Sequence, residues 1–167
     1  MSRPSGSDLL AAYAGPAYLI AALLIGYSAY DYLGSIWPLN VSEVSWRYGS
    51  AGILTGFALT PLLGILLAAL VATAAGQARA LRAVGVASLV LGVVFAVVVL
   101  GFGLDALQMR REAPEEARRL FDQGIAKAGI KLLGAAAAWW WLGWRSWRLA
   151  SRIRRSGSSD AGDLVIR

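Results

Sequence analysis

The sequence predicts an all-α polytopic membrane protein, with four transmembrane helices in two antiparallel hairpins and a short amphipathic interfacial helix before the fourth. Three observations predict it. Apolar residues make up 57% of the 167 positions and mean hydropathy is +0.57. Only 16% of residues are charged, against about 25% in an ordinary soluble domain. The apolar residues are massed in four runs, at 9–30, 50–75, 83–104 and 126–147, each long enough for a hydrocarbon core of about 30 Å. Residues 1–150 are read as one transmembrane domain, and 151–167 as a polybasic, flexible cytoplasmic tail.

The run 9–30 follows a short polar start holding Arg3. It exceeds the roughly 7–15 apolar residues of a signal peptide and no A-x-A-like site ends it, so it is read as a retained helix. Pro16 is expected to kink it. Tyr27, Tyr30, Tyr32 and Trp37 at its far end suit an interfacial aromatic belt. The following segment, 31–49, holds the breakers Gly34, Pro38 and Asn40 and is expected to lie in the interface through Trp37, Trp46 and Tyr48. Asn40-Val41-Ser42 matches a glycosylation pattern and is read as a chance match.

The stretch WRYGSAGILTGFALTPLLGILLAALVATAAG carries no charge between Arg47 and Arg79. As one helix, 50–75 would span about 39 Å. Small residues recur every fourth position at Gly52, Gly56, Thr60, Gly64, Ala68, Ala72 and Gly76. This spacing lets helix backbones approach closely and favours a right-handed crossing near about −40°. Pro61 in its middle removes one backbone hydrogen bond, and Thr60 is expected to re-satisfy the freed groups. A tight turn with Arg79 and Arg82 leads to the third run, whose Gly85, Ser88, Gly92 and Ala96 offer a complementary groove. The second and third runs are therefore expected to pair as the hairpin that nucleates the bundle.

In 105–125 the order Ala113-Pro114-Glu115-Glu116 reads as a helix start, with Pro at its first position and acids at the positive end of the dipole. Glu115 and Arg119 can pair at i,i+4. Leu120, Phe121 and Ile125 give an apolar side, hence the interfacial helix. Lys127 and Lys131 open the fourth run and can snorkel to the head groups. It ends in Trp139, Trp140, Trp141, Trp144 and Trp147. Trp140, Trp144 and Trp147 share one face, with Arg145 and Arg148 between them and Arg152 following. An aromatic belt is one reading of this end. The other is a surface for a partner subunit, lipid, quinone or pigment, since Trp and Arg are enriched at interaction hot spots. The arginine cluster at 145–155 places both termini in the cytoplasm.

Chemistry is sparse. The chain lacks Cys and His, which removes thiolate nucleophiles, the usual general base and the commonest haem and metal ligands. No ionisable residue falls in the middle of a run. Asp31, Arg47, Asp105 and Lys131 lie near run ends, where Asp105 pairing with Lys131 or Arg47 would form a structural clamp. Small multidrug transporters also have four helices but carry a carboxylate inside the first, and this chain has none there. The net charge is +6. Anionic lipid is its expected partner rather than nucleic acid, because no soluble basic domain presents it.

The segment WRYGSAGILTGFALTPLLG, with the later LDALQ…F…KAGIKLL, resembles a group of small uncharacterised bacterial four-helix integral membrane proteins. The resemblance covers about 45–133 and implies a bacterial inner membrane with no known activity. The function expected is that of a non-catalytic accessory subunit in a larger membrane complex, such as a photosynthetic or respiratory assembly, packing helices and filling lipid or quinone gaps. No covalently held or His-ligated cofactor is expected. The alternatives are a small transporter or channel, and a stand-alone lipid-interacting membrane protein.

Overall fold

The computed structural model describes residues 6–163, with side chains from 13 to 155. Arg3 and the last four residues of the expected tail lie outside it. Five helices form: α1 (Gly6–Ser35), α2 (Val44–Phe57), α3 (Leu59–Ala74), α4 (Ala78–Glu112) and α5 (Glu115–Asp163). No strand occurs among the described residues.

Four membrane-crossing helices in two hairpins do not result. Among the described residues one helix, α4, is by itself long and apolar enough to cross a membrane: 35 residues, with an 18-residue window of mean hydropathy 2.9. Only 28% of that window is buried, whereas the core helix of a soluble protein would hide most of it. The expected second span is two helices, α2 and α3, bent by 45° at a short break, and it qualifies only if the bent pair counts as one crossing. The dilution has identifiable residues. In α1, over the described side chains from 13 onward, Pro16, several glycines and Tyr13, Tyr18, Tyr27 and Tyr30 interrupt the aliphatic run. In α5, Lys127, Lys131 and five tryptophans do the same.

The break between α2 and α3 follows from Pro61. With no N–H, Pro61 cannot bond to the carbonyl four residues back, which is that of Phe57. Ser28 of α1 fills the gap, its Oγ donating to the Phe57 carbonyl at 3.1 Å. Thr60, expected in that role, makes no such bond. Gly76, at φ 63°, then closes α3. A glycine past a helix end in the left-handed region is a common stop, and the Gln77 amide bonds back to the Ala72 carbonyl at 2.8 Å.

Packing does not follow the expected hairpin. α3 lies mainly along α1, and α4 mainly along α5, while the turn-linked α3 and α4 meet less. The expected interfacial helix is not separate either. From Glu115 onward one helix runs through the charged turn and the Trp cluster and continues to Asp163, into the tail expected to be flexible. No proline interrupts it, and Leu149, Ala150 and Ile153 hold its distal part against the core.

Antiparallel packing divides the bundle into two ends. Tyr13 and Ala14 lie beside Ala74 and Ala75, and Ile153 and Arg154 lie beside Ala78 and Arg79. The outer parts of α1 and α5 thus share one end with the turn at Gly76. The other end holds the loop before α2, the end of α4 and the start of α5. There Tyr48 stacks between Phe102 and Phe121, at 5.1 and 5.4 Å between ring centroids, and ties three helices together.

Candidate functional site

The α4–α5 seam is built from small residues on both helices. A Cβ placed on Gly85 would lie 3.3 Å from the Gly143 carbonyl and the Trp147 nitrogen, and one on Gly92 would lie 3.3 Å from the Trp140 nitrogen. One on Gly143 would lie 2.7 Å from the Leu89 side chain and 3.0 Å from the Leu89 nitrogen. Ser88 and Ser146 are buried in the same seam. Ser88 returns its hydroxyl to the Val84 carbonyl at 2.8 Å, so it costs no orphaned donor. Gly85 and Gly92 therefore serve α5, not the groove expected for the preceding helix.

The row Gly52, Gly56, Thr60, Gly64, Ala68 splits at the bend. Gly64 is pressed on α1, where a Cβ would meet the Ala21 carbonyl at 2.8 Å, and Ala68 and Ala72 are buried beside it. Around Gly52 and Gly56 nothing stands within 4 Å of such a Cβ. The period of four runs through both parts, but Gly52 and Gly56 meet no other helix.

On α5 the five tryptophans divide. Trp139 is fully buried, 6.4 Å from Phe95 between ring centroids, and its Nε1 has no hydrogen-bond partner among the described residues. Trp140, Trp141, Trp144 and Trp147 are about half exposed. The backbones of Trp140 and Trp147 pack on the α4 glycines Gly92 and Gly85. The guanidinium of Arg148 lies 3.8 Å over Trp144, and that of Arg145 lies 5.8 Å over Trp141. Such cation–π pairs hold both residue types in one orientation. Trp140, Trp144, Trp147, Arg145 and Arg148 thus form an exposed aromatic and cationic stripe, with the exposed Arg152 beyond it.

At the opposite end, Asp105 takes Arg47 as partner and leaves Lys131 exposed. Arg47 Nη2 and Nε donate to the two carboxylate oxygens at 2.8 and 3.1 Å. Its Nη1 donates to the carbonyls of Val41 and Ser42, so one side chain ties the loop, α2 and α4 together. Asp105 is 6% exposed, and a carboxylate at that depth requires such a partner. A cleft of about 390 Å³ opens beside the pair, lined by Tyr32, Trp46, Ser50 and Phe102 among others. Both charges are satisfied by each other, which suits a clamp. Nearby, Arg110 pairs with Asp122 at 2.8 Å, and Arg118 rather than Arg119 reaches Glu115, at 3.5 Å.

Among the described residues no cluster of acidic side chains could hold a metal ion. Sequence reasoning missed Ser28. Its signal was available, because a proline inside a helix leaves a carbonyl needing a donor, but the donor's identity is a matter of packing. It also passed over what Arg79 and Arg82 meet, since their neighbour Arg154 is distant in the chain. No protein-family model, curated protein or solved structure matches this chain.

Proposed function

We propose that the protein is a non-catalytic subunit of a larger integral-membrane assembly in a bacterial inner membrane, acting by helix packing and lipid contact. The observation that supports this reading is the unburied apolar surface. Leu19, Leu23, Leu63, Leu70, Val97 and Leu100 are each more than half exposed, and they come from three different helices around the bundle. Water would make such a surface aggregate, whereas lipid or neighbouring helices accept it. The Trp/Arg stripe of α5 is the surface for a neighbouring subunit, with lipid, quinone or pigment at its edge. A photosynthetic or respiratory assembly is the kind of complex it suits. The end bearing Arg79, Arg82, Arg145, Arg148 and Arg154 faces the cytoplasm, by the dense arginine cluster at 145–155.

The test is migration after solubilisation in mild detergent. A subunit travels inside a particle far larger than 17.7 kDa plus its micelle, and Trp144→Ala with Trp147→Ala releases it with its helix content intact. Migration of the wild type alone would leave the stand-alone lipid-interacting reading.

A further inference from the structure

A second cluster of arginines lies outside the Trp/Arg stripe. Where the start of α4 meets the distal part of α5, Ala78, Arg79, Arg82, Ile153 and Arg154 line a cleft of about 340 Å³. At about 30 Å³ per water that is room for roughly ten waters. Three guanidinium groups share it, and among the described residues no acidic side chain lines it. Among the described residues none of the three pairs with a carboxylate. The contrast with the other end is informative. A cleft of similar size there is lined by Leu107, Arg110, Arg111 and Arg118, but Arg110 is neutralised by Asp122 and Arg118 by Glu115.

Position adds to charge. Arg154 follows Trp147 by seven residues on α5, about 10 Å along the axis. On α4, Arg79 precedes Gly85 by six, about 9 Å, and Gly85 abuts the backbone of Trp147. Both helices therefore set the cleft about 10 Å outward from exposed indoles, which favour the boundary between acyl chains and head groups. The wall is amphipathic, with Ile153 half-buried beneath the guanidinium groups. The first turn of α4 opens at the same place, and the positive end of its helix dipole adds to the field.

The geometry points to a binding site for the phosphate of an anionic phospholipid head group, held by Arg79, Arg82 and Arg154. Guanidinium forks match phosphate oxygens in pairs, and the acyl chains run back along the apolar faces of α4 and α5. This assignment rests on the reading of α4 as a membrane span.

The full chain is placed in nanodiscs of phosphatidylcholine doped with phosphatidylglycerol, and bound lipid is counted by native mass spectrometry. Wild type retains phosphatidylglycerol over phosphatidylcholine. Arg82→Gln and Arg154→Gln each weaken that retention about tenfold, the loss of one charge-assisted contact, while Arg111→Gln at the opposite end leaves it unchanged. Circular dichroism of each variant separates lost binding from lost fold, and Arg82→Lys recovers part of the retention. Equal retention in the glutamine variants overturns the assignment, as does an equal loss in Arg111→Gln. Binding of inorganic phosphate as tightly as of the lipid overturns the lipid as occupant. Failure of the chain to enter nanodiscs overturns the membrane reading together with this one, whereas entry without lipid preference overturns this one alone.

Discussion

Gly64 and Gly56 belong to one row of small residues, yet only Gly64 meets another helix. A methyl group on Gly64 would press on the Ala21 backbone carbonyl at 2.8 Å, and backbone cannot move aside as a side-chain tip can. Gly64→Ala should therefore destabilise the protein by about 1–3 kcal/mol, the usual cost of overpacking. Gly56→Ala meets open space and should be neutral or slightly stabilising, because alanine favours helix more than glycine does. Thermal unfolding in detergent compares the two, and equal losses would show that the α1–α3 contact is not the one described. The charged residues give a parallel case. Asp105 is nearly buried, whereas Asp122 and its partner are exposed. Asp122→Asn should cost less than about 1 kcal/mol, as surface pairs do. Asp105→Asn should cost distinctly more and free the loop before α2, seen as faster hydrogen exchange at 41–43. The existence of the row of small residues was legible in the sequence. Which neighbour each residue meets was not, because a period of four selects a helix face without naming what covers it.

At the scale of the helix, Pro61 carries the clearest link from sequence to shape. Its missing N–H frees the Phe57 carbonyl, the helix parts at Ala58 with a 45° bend, and Ser28 donates into the gap. Ser28→Ala removes that donor and should cost about 1 kcal/mol, the net value of such a bond. Pro61→Ala supplies a backbone N–H for the Phe57 carbonyl, so in that background Ser28→Ala should cost almost nothing. A double-mutant cycle reads the difference, and purely additive losses would disconnect serine from proline. The lost hydrogen bond at Pro61 was legible, but its full consequence was not. A proline costs one bond locally, and whether the helix merely curves or breaks depends on whether another helix can satisfy the freed carbonyl. The continuity of α5 went the other way. Pro114 and the following acids mark a helix start, and nothing downstream marks an end, so the amphipathic segment and the Trp-bearing segment fuse.

For the whole molecule, the decisive quantity is the position of α4 relative to a bilayer. From Arg79 to Glu112 it rises about 50 Å, well beyond a hydrocarbon core of about 30 Å. Its two ends should therefore emerge on opposite sides. The chain contains no cysteine, so single cysteines can report on this against a silent background. Glu112 marks one end of α4, and Arg155, one residue beyond the Arg79–Arg154 cleft, marks the other. Both side chains are exposed, and neither makes a hydrogen bond or ion pair among the described residues. In sealed vesicles a membrane-impermeant maleimide should label Glu112→Cys or Arg155→Cys but not both, and permeabilisation should expose the second. The dense arginine cluster at 145–155 predicts that in intact cells Glu112→Cys is the one labelled from outside. Labelling of both in sealed vesicles would mean that α4 lies on the membrane or packs against another protein. The exposed apolar face would then call for a protein partner instead of lipid.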